Sequence, residues 1–81
     1  MAIAGVLVKV SQGMENSVSS SMKNITGVEV HNIEDGHIVS VIEAGDVNEI
    51  KNLSSIIEQL DGVLVVLPTY INHEDSQVFS A

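Results

Sequence analysis

Cysteine, arginine and tryptophan are all absent from the 81-residue sequence. Without cysteine there are no disulfides, no thiolate metal ligands and no thiol nucleophiles, and a reducing compartment is compatible with the chain. Aromatic residues are limited to Tyr70 and Phe79. The core is therefore expected to consist of Val, Ile and Leu, whose β-branched members favour strands.

Positive charge is scarce, because three lysines stand against eleven acidic residues and the net charge is -8. Such a chain repels phosphate-rich partners, so we expect no nucleic acid partner and no binding to anionic membranes, whereas a basic peptide would be attracted. The apolar run over residues 3–8 is too short to span a bilayer and continues into Lys9 in strict alternation. It therefore indicates a strand, and no membrane insertion is expected.

Two helices are predicted from apolar residues at three- and four-residue steps. The first stripe consists of Met14, Val18, Met22 and Ile25, and the second of Ile50, Leu53, Ile57 and Leu60. Asp46 and Glu49 form a capping-box pattern, so the second helix should run roughly from Val47 to Leu60. Gly27 and Gly62 are expected to end the two helices in a left-handed conformation.

Four strands are predicted, at residues 4–10, in two arms of a hairpin within 27–44, and at 63–67. The hairpin turns at Glu34-Asp35-Gly36, where Gly36 supplies a positive φ. The order β-α-β-β-α-β predicts an α+β ferredoxin-like sandwich, with a four-stranded antiparallel sheet and two helices on one face. Residues 1–70 would form this single domain, and the polar residues 71–81 a flexible C-terminal tail.

Strict alternation divides the strand residues between a face covered by the helices and an open face. The covered set is expected to be Val6, Val8, Val10, Val28, Val30, Val39, Val41, Val63 and Val65. The open set is expected to be Leu7, Lys9, Glu29, His31, Ile38, Ser40, Ile42, Leu64 and Val66. Aliphatic side chains rimmed by acidic ones are typical of a partner site, although a homodimer or the tail residues Val78 and Phe79 could cover the same face. A one-residue error in register would exchange the two sets, most easily in the uninterrupted run 63–67.

No catalytic centre, metal site or cofactor is predicted, and we expect that the protein is not an enzyme. His31 and His37 fall on opposite faces by alternation, so a shared metal would require a bulge. No carboxylate pair is placed as acid and base, no serine has a nucleophile elbow, and the glycines lack phosphate-binding spacing.

Five segments taken in order are similar to the NapD family, small cytoplasmic assembly chaperones of periplasmic nitrate reductase. They are AGVLVKV, ITGVEVH, GHIVSVIEA, IIEQLDGVLVVLPTY and the ending His73-Glu74-Asp75. The resemblance implies a cytoplasmic chaperone that binds the twin-arginine signal peptide of the nitrate reductase catalytic subunit. It also implies that export is delayed until molybdenum cofactor insertion is complete.

The open set then becomes the expected peptide contact surface, on the basis of alternation rather than a family motif. Aliphatic burial would supply affinity, and Glu29 with nearby acids would steer the arginines. On this hypothesis Ile42→Asp or Leu64→Asp abolishes peptide binding and leaves the fold intact.

Two alternatives to a peptide-binding chaperone stay open. One is a small regulatory domain that binds an amino acid or other small molecule as a dimer, with Ser11-Gln12-Gly13 as a weak pocket candidate, and the other is a purely structural homo-oligomer.

Overall fold

Six elements follow one another in the computed structural model, which describes residues 1–73. They are β1 (Ala2–Val10), α1 (Glu15–Lys23), β2 (Val28–Glu34), β3 (His37–Ala44), α2 (Val47–Glu58) and β4 (Val63–His73). The strands form one antiparallel sheet in the order β2-β3-β1-β4. α1 packs on β2 and β3, and α2 packs on β1, β3 and β4. The predicted ferredoxin-like fold is confirmed.

The helices end earlier than predicted, at Lys23 and Glu58, and each is followed by a turn whose last residue is a glycine with positive φ. Gly27 has a φ of 93° and Gly62 a φ of 98°. A Cβ on Gly27 would lie 2.7 Å from the carbonyl oxygen of Glu43 in β3, and one on Gly62 would lie 2.9 Å from Cε of Met14 beside α1. These two turns therefore need glycine both for the backbone conformation and because neighbouring atoms, of β3 at Gly27 and beside α1 at Gly62, leave no room for a side chain.

The two helices begin in different ways. Asp46 Oδ1 accepts a hydrogen bond from Glu49 N–H at 2.9 Å, and Glu49 Oε1 accepts one from Gly45 N–H at 2.7 Å. At α1 the carboxylate of Glu15 instead accepts hydrogen bonds from the N–H groups of Gly36 at 2.8 Å and Gly13 at 3.0 Å. Glu15 thereby fixes the start of α1 to the β2–β3 turn.

A core of aliphatic side chains fills the space between sheet and helices. Its buried members are Ala2, Ala4, Val6, Val8, Val10, Val18, Met22, Ile38, Ile42, Ile50, Ile57 and Val66. Ser40 and Ser19 are the buried polar residues of the described chain. We call the side of the sheet away from the helices the open face.

The predicted faces of β3 are wrong, and a bulge in β2 is the reason. Val30 pairs with Ser40 but Asn32 pairs with Val39, so His31 is an extra residue on β2. One extra residue inverts the alternation that follows, because two residues then oppose one. Ile38, Ser40 and Ile42 are consequently 0% exposed under the helices, and Val39 and Val41 lie on the open face.

The same kind of error affects β4. Lys9 pairs with Val65 and Val10 with Val63, which leaves Leu64 as the extra residue. Val65 thus moves to the open face and Val66 to the core, the reverse of the predicted assignment.

β4 is also longer than predicted. It continues through His73, which pairs with Ala2, so residues 71–73 belong to the strand and not to a tail. The rest of the expected tail, including Val78 and Phe79, lies outside the described residues. Neither helix of the described chain has the length and apolar character that a bilayer-spanning segment needs.

Candidate functional site

The open face has an apolar centre formed by adjacent residues of β1, β3 and β4. We define this apolar centre as Leu7, Val39, Val41, Leu67 and Tyr70. Val39 pairs with Leu7 and Leu7 with Leu67, which makes a continuous row across three strands. Val39 is 38% exposed, Leu67 42% and Tyr70 48%. Large apolar side chains this exposed and this close together are typical of a binding surface.

Tyr70 owes its place on the open face to a second bulge in β4. Gly5 pairs with Tyr70 and Val6 with Pro68, so Thr69 is extra and Tyr70 is turned to the open face. A Cβ on Gly5 would lie 2.6 Å from Cε1 of Tyr70. The absence of a side chain at Gly5 therefore lets the phenol ring lie directly on the β1 backbone.

Polar side chains occupy the β2 edge of the open face. His31 Nε2 lies 3.2 Å from Glu29 Oε1, and His37 Nε2 lies 2.6 Å from Glu34 Oε1. Asn32 Nδ2 donates to Glu34 Oε2 at 2.7 Å. Contrary to the prediction, the bulge brings His31 and His37 to the same face, but each is held by its own glutamate. Nowhere in residues 1–73 do three metal-ligating side chains group together.

Negative charge is distributed unevenly over this surface. Glu29, Glu34 and Asp35 lie on β2 and its turn, and Glu43 lies on β3, whereas β4 contains no Asp, Glu or Lys. Within the described chain no lysine lies within ion-pair distance of a carboxylate. The carboxylates of Glu29 and Glu34 at the β2 edge thus have histidine partners rather than lysine partners.

The predicted site residues divide into two groups. Leu7, Lys9, Glu29 and His31 lie on the open face, and Leu64, the bulge residue, is 67% exposed. Ile38, Ser40, Ile42 and Val66 are buried beneath the helices, so a partner on the open face does not reach them. Ser40 instead links β2 to β3, because its Oγ donates to the carbonyl of Glu29 at 2.7 Å.

Sequence reasoning missed four members of the apolar centre: Val39, Val41, Leu67 and Tyr70. One signal pointed to Tyr70, since an isolated glycine such as Gly5 inside a strand often marks a bulge or a close approach. No comparable signal marks the other three residues.

The weak pocket candidate beside Ser11-Gln12-Gly13 is a shallow cavity of about 310 Å³ lined by Val10, Gln12, Glu15, Asp35 and Gly36. The carboxylates of Glu15 and Asp35 in its lining repel an anionic ligand group. The Glu15 carboxylate also occupies the N–H groups of Gly13 and Gly36. The N–H groups of these two glycines are therefore not free to bind a carboxylate ligand.

Comparison with known proteins gives one family and one structure. The family model described as NapD protein matches residues 1–75. Among solved structures, the chain is similar to the solution structure of the E. coli Tat proofreading chaperone protein NapD, with a TM-score of 0.80 and 21% sequence identity. The match covers 90% of this chain and 79% of that one, and at this identity it shows the fold. No curated protein sequence matches the chain.

Proposed function

Because the chain belongs to the NapD family, we propose that it is a cytoplasmic chaperone for the twin-arginine signal peptide of the periplasmic nitrate reductase catalytic subunit. Binding would delay export until molybdenum cofactor insertion is complete. The similar E. coli structure is described as a Tat proofreading chaperone, and the proposal extends that role to this chain. The observation that carries it is the exposed apolar centre beside carboxylates that have no lysine partner among the described residues.

Signal peptides combine a positively charged segment with an apolar stretch of about 7–15 residues. The open face offers the complement of both, with exposed aliphatic and aromatic side chains in its centre and Glu29 and Glu34 at its edge. The apolar contacts would contribute most of the affinity. The charge of -8 would mainly accelerate encounter and orient the peptide.

We propose that the contact surface consists of the apolar centre together with Lys9, Glu29, His31 and Leu64. Lys9 pairs with His37 and Val65, at the end of the face toward the β2–β3 turn. Its positive charge would repel arginine there. The arginines are therefore expected nearer to Glu29 than to Lys9.

A small-molecule regulatory domain is less well supported, because its candidate cavity is acidic and the N–H groups of Gly13 and Gly36 are engaged by Glu15. A homodimer formed through the open face would bury the same apolar centre and compete with the peptide. Light scattering with and without peptide distinguishes a peptide-binding chaperone from a homodimer. On the proposed function we expect a monomer that binds one peptide, whereas a dimer that persists and excludes the peptide contradicts the proposal.

Calorimetric titration with a synthetic signal peptide tests the proposal directly. We expect binding to the native peptide and at least tenfold weaker binding when both arginines are replaced by glutamine. Leu67→Asp should abolish binding, and its matched control is Ile56→Asp on α2, which is similarly exposed but lies on the helix side. A folded protein that binds neither peptide, or that loses binding equally with both substitutions, refutes the proposal.

A further inference from the structure

The open face changes in character from one edge of the sheet to the other. One register row runs from Glu29 through Val41 and Gly5 to Tyr70. It begins with a carboxylate on β2 and ends with an aromatic ring on β4. The row is thus acidic at one end and apolar at the other.

The surroundings of the row make its two ends differ further in polarity. At the β2 end a cavity of about 220 Å³ lies between Glu29 and Glu43 and is lined further by Gly27, Val28 and Val41. At the β4 end the Tyr70 ring lies on Gly5 beside an edge strand that contains no charged acid or lysine between Val63 and His73.

On the premise of the proposed function, we infer that the signal peptide crosses the strands in one direction. Its arginines lie at β2 between Glu29 and Glu43, and its apolar stretch lies over β1 and β4 with Tyr70 as its aromatic anchor. The reverse direction would place arginines on uncharged β4 and apolar side chains among carboxylates. Both placements are unfavourable because charges and apolar groups would be desolvated without a complementary partner.

The distance across the sheet is compatible with a single peptide. Three strand spacings of about 4.8 Å separate Glu29 from Tyr70, or about 14 Å in all. About four extended residues or about nine helical residues span that distance. One peptide can therefore reach both ends of the row in either conformation.

Disulfide trapping tests the direction, since the chain has no cysteine of its own. Asn32 on β2 and Asn72 on β4 are exposed and lie at opposite edges of the open face. Each would be changed to cysteine separately and mixed with a peptide that carries one cysteine, either beside the arginines or at the far end of the apolar stretch. We expect the arginine-end peptide to trap on the Asn32→Cys variant and the apolar-end peptide on the Asn72→Cys variant. The opposite pairing, or equal yields in all four combinations, overturns the inference.

Two substitution series test the ends of the row. Glu29→Gln with Glu43→Gln should remove most of the difference in affinity between the native peptide and its arginine-free form. The matched control, Glu74→Gln with Asp75→Asn, changes the two acids that follow β4 in the sequence and should preserve that difference. If the control pair removes it equally or instead, the arginines are not held at Glu29 and Glu43 and the inference is overturned.

At the apolar end, Tyr70→Ala should weaken peptide binding about tenfold or more, as expected for an aromatic anchor. Ile71→Ala is the control, because Ile71 is 45% exposed but pairs with Ala4 and faces the helix side. An equal effect of the two substitutions refutes the anchor role. Failure of the unmodified chain to bind any peptide would instead refute the proposed function, and calorimetry detects that outcome before trapping begins.

Discussion

Aspartate substitutions at two consecutive residues of β3 should have opposite consequences. Ile38 is 0% exposed and Val39 is 38% exposed, because their side chains lie on opposite faces of the sheet. We expect Ile38→Asp to unfold the domain. Val39→Asp should leave it folded and should weaken binding of the signal peptide.

The magnitudes follow from burial. Loss of the Ile38 side chain from the core costs about 2 to 3 kcal/mol, and an unpaired carboxylate in its place costs about 3 to 5 kcal/mol more. The total of about 5 to 8 kcal/mol is comparable to the whole stability of an 81-residue domain, which is about 4 to 12 kcal/mol. Val39→Asp loses only partial burial and some strand propensity, or about 1 to 2 kcal/mol.

Urea unfolding followed by far-ultraviolet circular dichroism measures the first effect, and calorimetric titration of the folded variant measures the second. Val39→Asp should keep a cooperative transition and bind the peptide about thirtyfold more weakly. A folded Ile38→Asp protein together with an unfolded Val39→Asp protein would show that β3 has the opposite register. The bulge at His31 would then be wrong as an explanation.

Four further substitutions test the turns and caps. The hydrogen bond from Gly36 N–H, and to a smaller degree the one from Gly13 N–H, lowers the pKa of Glu15. The ionised Glu15 carboxylate therefore stabilises the fold at pH values above the ordinary glutamate pKa of about 4.3. This stabilisation is lost as the pH falls through the lower pKa of the folded state. Urea titrations at several pH values should accordingly show wild type more stable than Glu15→Gln near neutral pH and the two converging in acid, and a constant difference would contradict this. Gly62→Ala should lower the thermal unfolding temperature more than Gly13→Ala does. Both positions have positive φ, but only a Cβ at Gly62 meets a neighbouring side chain. Asp46→Ala should lose about 1 kcal/mol in urea unfolding through its helix cap, and an unchanged midpoint would exclude that role.

The order of elements could be predicted because its signals are local. Gly27 and Gly62 mark the turns that follow the two helices, because a left-handed residue is needed there, and the Asp46 cap marks the start of α2 through its own side chain. The facing of β3 and β4 could not be predicted in the same way. Which side chains of β3 and β4 face the helices depends on His31 and Leu64 being extra residues opposite a partner strand. Alternation within one strand does not show how that strand pairs with its neighbour.

Wrong assignment of strand side chains to the two faces of the sheet affected the predicted site more than the predicted fold. Val39 and Ile42 are both aliphatic and β-branched, so hydrophobicity does not distinguish the open side of β3 from the covered one. Ser40 is the clearest case, because a polar residue in a strand is expected to face solvent. Its hydroxyl is buried here and satisfied by the Glu29 carbonyl, an acceptor that only the folded pairing brings within reach.

All three bulges of the described sheet lie in its edge strands, one in β2 and two in β4. Bulges make an edge irregular and oppose the addition of another strand, and Pro68 removes one more N–H donor from β4. The same bulges turn Val39 and Tyr70 toward the open face. A sheet with irregular edges and an apolar face favours partners that lie over its strands and disfavours those that extend it. This argues that the peptide is recognised by side chains of the open face rather than by backbone pairing along β4.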